Sequence, residues 1–164
     1  MPDPLTQDPS LIVLVGAAGS GKSTLAGAWP AHRVLELATF RELICDDALR
    51  PDATDEAVLI LGMVLEARLA RQLTTVVDAA NTDPAMRARL LDIAERHRVP
   101  ATALVLTTPL EVCLERNALR PPELRVPDDV VRRQYAQTVD AVPVLSAEGF
   151  SHVEALHGGL LDQT

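Results

Sequence analysis

The sequence predicts an α/β fold in which a parallel five-stranded sheet is covered by helices on both faces. Three observations support this prediction. Short β-branched runs alternate along the chain with longer segments of helical periodicity, as in repeated βαβ units. The strand runs are almost continuously apolar, which is typical of parallel strands buried on both faces. A glycine-rich loop follows the first run directly, at the strand end where ligands bind in such sheets.

The element boundaries follow from these runs and from the turn residues between them. Helix starts carry capping signals: Thr54 precedes two acidic residues, Asp83 precedes a proline, and Thr108 begins a capping box. The predicted strands are residues 11–15, 33–37, 74–78, 101–106 and 151–156, and the predicted helices are residues 23–29, 54–72, 84–97, 108–119, 128–139 and 143–148.

Two helices have patterns that predict how they pack. The apolar positions of helix 54–72 extend around most of its circumference, so we expect it to be well buried. Helix 84–97 instead has one apolar face, formed by Met86, Leu90, Ile93, Ala94 and His97. Four arginines in this helix or directly after it are expected to lie opposite that face in solvent; they are Arg87, Arg89, Arg96 and Arg98.

The composition limits the class of protein. The chain has 164 residues, which is enough for one domain with a sizeable core. Hydrophobic residues make up 48% but aromatic residues only 2%, so the core should be aliphatic. A net charge of −8 argues against broad, non-specific binding to nucleic acid. Cys45 and Cys113 have no metal-binding or redox spacing and are expected to be small core residues.

The domain is expected to span residues 11–157, between an N-terminal tail (residues 1–10) and a C-terminal tail (residues 158–164). The first residues lack the basic and apolar regions of a signal peptide. No apolar run reaches the roughly 18 residues needed to cross a bilayer. These patterns predict a cytoplasmic protein with no membrane partner.

Residues 16–23 match the P-loop pattern G-x-x-x-x-G-K-S, with a predicted strand before it and a helix after it. The glycines allow a tight turn that directs backbone N–H groups at phosphate oxygens, at the positive end of a helix. Lys22, the only lysine in the chain, is expected to bridge the β- and γ-phosphates, and the Ser23 hydroxyl to bind Mg²⁺. The fold is therefore predicted as a three-layer P-loop NTPase fold that takes ATP and Mg²⁺. The predicted nucleotide-binding residues are Gly16, Ala17, Ala18, Gly19, Ser20, Gly21, Lys22, Ser23 and Thr24.

Polar residues follow the third strand. Asp78 ends that strand, as the acidic residue of a Walker B element does, and is predicted as a second Mg²⁺ ligand, directly or through water. The alternative is an aspartate that bonds to a turn. Asn81 is either a further polar contact at the site or a turn residue.

Arginines near residue 120 predict a cover over the phosphates. Arg116 and Arg120 are four residues apart and so share a helix face, and residues 116–127 are expected to form a lid. Guanidinium groups on such a lid would neutralise the charge that builds up on a transferring phosphoryl group. The alternative is a solvated face, because acidic residues are interspersed. Arg125 could belong to either, whereas Arg132 and Arg133 fit a surface position.

Four further segments continue the pattern beyond the P-loop, which itself extends to Thr24. They are residues 40–47, 76–81, 112–120 and 126–150, with the sequences FRELICDD, VVDAAN and VCLERNALR in the first three. Together these segments resemble the polynucleotide-kinase branch of P-loop kinases, especially the kinase domain of bacterial polynucleotide kinase-phosphatases. The resemblance covers residues 11–153.

The resemblance implies transfer of the ATP γ-phosphoryl group to a hydroxyl, which in the named family is the 5′-OH of a nucleic acid. It implies that Lys22 and Ser23 serve ATP and Mg²⁺ and that Arg116 and Arg120 are lid arginines. It also implies that Arg41 contacts a phosphate of the acceptor, although the residue could otherwise lie on a helix surface.

The chain departs from the family at Ala38. The family has an aspartate there that takes the proton from the acceptor hydroxyl, and such a base typically contributes about 10²–10⁴ in rate. Glu36 is the nearest carboxylate, but along a strand it would lie roughly 6.6 Å away; Asp46 and Asp47 are further candidates. Ala80 replaces a threonine that is usual in the family.

The sequence therefore predicts an ATP-dependent kinase whose activity is reduced because Ala38 replaces the general-base aspartate of the family. The acceptor is left open between a 5′-hydroxyl nucleic acid and a small hydroxylated metabolite. A nucleotide-binding regulator or slow ATPase that lacks an acceptor is the alternative.

Overall fold

The computed structural model describes residues 8–157. The predicted tails therefore lie largely outside the described residues. The strands are β1 (Leu11–Val15), β2 (Val34–Glu36), β3 (Thr75–Asp78), β4 (Ala101–Leu106) and β5 (His152–Leu156). The helices are α1 (Lys22–Ala26), α2 (Leu37–Cys45), α3 (Thr54–Ala70), α4 (Pro84–Arg96), α5 (Leu110–Ala118), α6 (Asp128–Ala141) and α7 (Leu145–Glu148).

The five strands form one parallel sheet in the order β2-β3-β1-β4-β5. This confirms the predicted fold class. The central strand β1 is buried on both sides, and alternate residues along a strand face opposite ways. Leu14 therefore packs with α1 and Trp29 on one face, whereas Val13 and Val15 pack with α3 and α4 on the other.

The order of the strands positions the site. The chain runs from β1 out to β2, returns to β3 beside β1, and then crosses to β4 on the other side. Because the strands are parallel, their carboxyl ends meet at one edge of the sheet. The P-loop after β1, the end of β2 at Glu36 and the end of β3 at Asp78 are thereby brought together.

Four sequence predictions about elements are wrong. Thr54 does not cap α3, because the helix begins at Thr54 itself and has no side-chain cap. The second strand is shorter than residues 33–37, because α2, a helix the strand pattern did not predict, begins at Leu37. Helix α3 is buried on one face only: Leu61 is fully buried but Met63 is 73% exposed. Thr108 does not cap α5, since its hydroxyl donates to the Ser20 carbonyl at 2.8 Å.

The predictions about the Asp83 cap and the two cysteines are confirmed in part. Asp83 caps α4 by accepting from the Ala85 N–H at 3.0 Å. Cys113 is fully buried, whereas Cys45 is half-buried at the end of α2 and is not a core residue. No helix among the described residues is both long enough and apolar enough to span a bilayer.

Candidate active site

The P-loop turns between the end of β1 at Val15 and the start of α1 at Lys22. Its backbone is left-handed at Gly19 (φ 82°) and Gly21 (φ 104°), a conformation that glycine adopts without a steric penalty. A side chain on Gly19 would also collide with the backbone carbonyl of Cys113 in α5. The Thr108 hydroxyl anchors the loop from the end of β4. The loop is thus shaped by its glycines and by the helix packed behind it.

Lys22 lies across the loop. Its ammonium group donates to the carbonyl oxygens of Gly16 and Ala17, each at 2.8 Å. Burial lowers the pKa of Lys22 to about 8, and the nearby Asp78 carboxylate opposes that shift only in part. The ammonium group is therefore held by dipoles of the loop itself, at the site predicted for phosphate.

Ser23 and Asp78, the predicted oxygen ligands of Mg²⁺, lie within hydrogen-bond distance of each other. The Ser23 hydroxyl donates to Asp78 Oδ2 at 3.2 Å. Burial raises the pKa of Asp78, while Lys22 and the bond from Ser23 act in the opposite direction. Mg²⁺ prefers hard oxygen ligands and usually keeps several waters, so two protein oxygens beside bound phosphates fit it. Within residues 8–157 there is no cluster of three or more acidic, histidine or cysteine side chains that would form a separate metal cage.

Asn81 acts inside the fold. Its backbone is left-handed, with a φ of 51°. Its side-chain amide donates to the carbonyl of Leu14 at 2.7 Å and to that of Ala79 at 3.2 Å. Asn81 thus ties the loop after β3 to the end of β1, which favours the turn interpretation, although the residue also borders the cavity described next.

Two adjoining cavities open at this edge of the sheet. The smaller, about 200 Å³, surrounds the P-loop, where Arg116 and Arg120 face Lys22. The larger, about 420 Å³, extends away from the loop toward α2 and α4. Both share Lys22, Ser23 and Arg120. A phosphoryl group held by these three side chains would face both spaces.

The predicted lid arginines come together at the P-loop, but not on one helix. Arg116 is in α5, whereas Arg120 lies beyond the end of that helix at Ala118. The Arg116 Nη1 atom lies about 3.7 Å from the position a Gly21 Cβ would take. Arg125 donates to the Arg120 carbonyl at 2.8 Å, so it holds the segment that carries Arg120 and lines neither of these two cavities.

Arg41 lines the larger cavity from α2. Its Nε donates to the Thr54 hydroxyl at 3.1 Å, and its Nη1 reaches the Ala48 carbonyl at 3.5 Å. Burial lowers the pKa of Arg41, but its guanidinium group stays charged at neutral pH. The guanidinium group is therefore held in place by contacts outside the P-loop.

Glu36 and Ala38 both line this cavity. Glu36 ends β2 directly beside Asp78 in the sheet register. Burial raises the pKa of Glu36, and the Asp78 charge raises it further. Ala38 lies in the first turn of α2, where the rise is about 1.5 Å per residue. Because the chain turns into α2 at Leu37, the continuous-strand geometry behind the expected separation of roughly 6.6 Å between Glu36 and position 38 does not apply.

Sequence reasoning missed the positions of three residues, two of which are arginines of α4. Arg87 was predicted to be solvated but is 1% exposed, with a two-pronged ion pair to Glu148 at 2.7 and 2.8 Å. Its spacing of three and seven residues from Leu90 and Ala94 was the available signal, since that spacing places it on the buried face. Arg89, also predicted to be solvated, borders the larger cavity.

The other missed residue is Gln134 in α6. Its side-chain oxygen accepts from the Ala18 backbone N–H of the P-loop at 2.9 Å. No motif marks this contact, because it joins residues 116 positions apart. Only the packing of α6 against the P-loop shows it.

Comparisons with known proteins agree with this geometry. The family model described as "AAA domain" matches residues 11–144. No curated protein sequence matches the chain. Among solved structures, a chain of the Pnkp1/Rnl/Hen1 RNA repair complex is 20% identical with a TM-score of 0.69, over 85% of this chain and 47% of that one.

Two further solved structures are similar along most of their length. A gluconokinase from Sinorhizobium meliloti 1021 is 20% identical with a TM-score of 0.58, covering 93% of this chain and 85% of that one. Chaetomium thermophilum Kti12 in complex with ADP-AlF3 is 21% identical with a TM-score of 0.59, covering 90% and 88%. At these identities the structures show a shared fold, and the family match shows membership: the chain belongs to the AAA-domain family and has the nucleotide-binding P-loop fold of kinases.

Proposed function

We propose that the protein is an Mg²⁺-dependent phosphotransferase that moves the γ-phosphoryl group of ATP to a hydroxyl group. The observation that carries this proposal is the pair of adjoining cavities that share Lys22, Ser23 and Arg120. The smaller cavity fits the phosphates of the donor. The larger one leaves room for an acceptor on the other side of the same three groups.

Different residues of the site would bind the phosphates, hold Mg²⁺ and stabilise the transferring group. Backbone N–H groups of the P-loop and the Lys22 ammonium would bind the β- and γ-phosphates. Ser23 and Asp78 would hold Mg²⁺, which supplies charge neutralisation on the phosphates. Arg116 and Arg120 would balance the charge on the transferring group. Because phosphoryl transfer is largely dissociative, positioning and charge account for most of its rate.

A polynucleotide 5′-hydroxyl end is the first candidate acceptor. Arg41 supports it, because its guanidinium group is fixed at the acceptor side of the cavity, where the resemblance places an acceptor phosphate. The similar chain in a solved RNA repair complex is in line with a nucleic-acid acceptor. Ala38 means that the expected general base is lacking, and the rate should be reduced accordingly.

A small hydroxylated metabolite is the second candidate acceptor. The cavity of about 420 Å³ suits a compact molecule. Nucleic-acid sites commonly stack bases on aromatic side chains, and none of the four aromatic residues of this chain lines the cavity; they are Trp29, Phe40, Tyr135 and Phe150. The similar fold of a gluconokinase is in line with this alternative.

A nucleotide-binding regulator or slow ATPase is the alternative from a different class. Ala38 favours it, because the acceptor side lacks the base of the family. The retained Arg41, held by two hydrogen bonds at the cavity, favours an acceptor instead.

An acceptor screen tests the proposal. ADP release is measured with Mg²⁺ and ATP in the presence of a 5′-hydroxyl oligonucleotide, the same oligonucleotide with a 5′-phosphate, and a panel of small alcohols. We expect release to rise with a hydroxylated acceptor and to be lost in Lys22→Met. If the 5′-phosphate oligonucleotide stimulates as well as the 5′-hydroxyl one, transfer to a 5′ end is wrong. If no acceptor stimulates release, the regulator or slow ATPase is the better account.

A further inference from the structure

Gln134 joins α6 to the P-loop at the border of the larger cavity. Its Oε1 accepts the Ala18 N–H at 2.9 Å. It lines the same cavity as Lys22, Ser23 and Arg120. It does not line the smaller cavity, which is bordered by residues 19 and 21–24 of the loop together with the two lid arginines. Gln134 therefore lies on the acceptor side of the phosphate site.

The hydrogen bond from the Ala18 N–H fixes the orientation of the Gln134 side-chain amide. A backbone N–H can only donate, so the atom that faces Ala18 must be the amide oxygen. The –NH₂ group is then directed away from that contact with two N–H donors. Among the hydrogen bonds of residues 8–157, none uses this group. Gln137 likewise accepts through its oxygen, from the Thr82 hydroxyl at 2.9 Å, but unlike Gln134 it does not line the larger cavity.

A phosphoryl oxygen matches this free group. Phosphate oxygens only accept hydrogen bonds, and the –NH₂ group can only donate. At the shared part of the cavity the cations Lys22 and Arg120 are also hydrogen-bond donors, and the third shared residue, Ser23, is a predicted Mg²⁺ ligand. The outermost phosphate of a bound nucleotide is the one that would extend from the smaller cavity into the larger one.

We propose that the Gln134 –NH₂ group donates to a γ-phosphoryl oxygen of bound nucleoside triphosphate and so makes α6 a detector of the third phosphate. This inference rests on the proposed function. Helix α6 also contacts the loop after β3 through Gln137 and Thr82. It therefore connects the P-loop with the loop that follows Asp78.

The substitution Gln134→Glu tests this role with little change of shape. A glutamate oxygen still accepts the Ala18 N–H, but the donor is replaced by a negatively charged oxygen. Gln137→Glu is the matched control, because it adds the same charge to the same helix one turn away and also keeps its acceptor oxygen toward Thr82. Circular dichroism checks that both variants are folded.

The readout is binding of a non-hydrolysable ATP analogue and of ADP, each with Mg²⁺, by titration calorimetry. We expect Gln134→Glu to weaken analogue binding by about 10- to 100-fold, the range for a hydrogen bond to a charged group. ADP binding should change several-fold less, and Gln137→Glu should alter neither ligand strongly. If Gln134→Glu is poorly folded, Gln134→Met, which lacks both hydrogen-bonding atoms, should show the same preference with a smaller loss.

The outcomes separate this inference from the proposed function. Equal losses for the analogue and ADP, or no loss for either, would overturn the role of Gln134 while leaving nucleotide binding intact. An equally large selective loss in Gln137→Glu would also overturn it, since added charge on α6 would then explain the effect. Failure of the unaltered protein to bind either nucleotide would overturn both the inference and the proposed function.

Discussion

The protonation state of Lys22 depends on its surroundings in the P-loop. Burial lowers its pKa to about 8, so about half of the nucleotide-free protein still carries the Lys22 proton at pH 8. Bound phosphates would favour the charged form and raise this pKa. Nucleotide binding should therefore be coupled to uptake of a proton when the pH exceeds about 8.

This coupling predicts how nucleotide affinity depends on pH. Since the terminal phosphate has a second pKa near 6, it is already ionised above pH 7.5. ATP affinity should therefore fall by about tenfold between pH 7.5 and 9, as the fraction of protonated Lys22 declines. Calorimetry in buffers of different ionisation enthalpy measures both the affinity and the proton uptake. Lys22→Arg keeps its charge over this range and should bind with little pH dependence; equal pH dependence in both proteins would contradict the role of Lys22.

Ala38 occupies the position of the missing general base. Ala38→Asp should raise acceptor-dependent phosphoryl transfer by about 10²–10⁴, the usual contribution of a general base, if the rest of the acceptor site is intact. Initial rates at saturating ATP measure the effect. Ala38→Asn, of the same size but without a basic oxygen of comparable strength, is the control and should gain little. No gain in Ala38→Asp would indicate that Glu36, which borders the same cavity, already serves as the base or that transfer does not need one.

At the scale of elements, α3 shows why periodicity alone was misleading. Its apolar residues occur on all sides, yet only one face meets the sheet and α4: Ala57, Leu61, Leu65 and Leu69 are buried, whereas Leu59 is 60% exposed and Met63 73% exposed. Composition could not reveal which face has a neighbour, because that depends on how the other helices are placed.

The one-sided burial of α3 gives a paired prediction. Leu61→Ala should lower the free energy of unfolding by about 2–5 kcal/mol, because it leaves a cavity in the core. Met63→Ala should change it by no more than about 0.5 kcal/mol, since the side chain is mostly in solvent. Urea denaturation followed by circular dichroism measures both. Similar losses for the two variants would show that the exposed face is covered by another part of the protein or by a second copy.

The ion pair between α4 and α7 is a second element-scale feature. Arg87 is buried and also donates to the carbonyls of Asn81 and Thr82 at 3.1 and 3.0 Å, so it holds the loop after β3 as well as Glu148. Arg87→Met should cost about 3 kcal/mol, the lower part of the range for breaking a buried pair, because the Glu148 side chain is 23% exposed. Arg96→Met, whose ion pairs are exposed, should cost less than about 1 kcal/mol. Urea midpoints compare them, and equal costs would contradict the structural role of Arg87.

At the scale of the whole molecule, the sequence predicted what depends on local pattern. The sheet, the P-loop and the Ser23–Asp78 pair follow from runs and motifs whose position in the fold is fixed by parallel strand ends. The contact of Gln134 with Ala18 and the burial of Arg87 could not be predicted in this way. Both depend on how distant helices pack, and α2 went unrecognised because it begins directly at the end of β2.

The central claim is that the γ-phosphoryl group is transferred to a hydroxyl. Following that phosphoryl group into its product tests the claim most directly. The protein is incubated with Mg²⁺ and ATP labelled in the γ-phosphate, together with a hydroxylated acceptor, and the label is followed into the acceptor and into inorganic phosphate. We predict that label appears on the acceptor, faster in Ala38→Asp, and on neither product in Lys22→Met. Label that enters inorganic phosphate alone, at a rate no acceptor changes, would contradict the account and identify the protein as an ATPase.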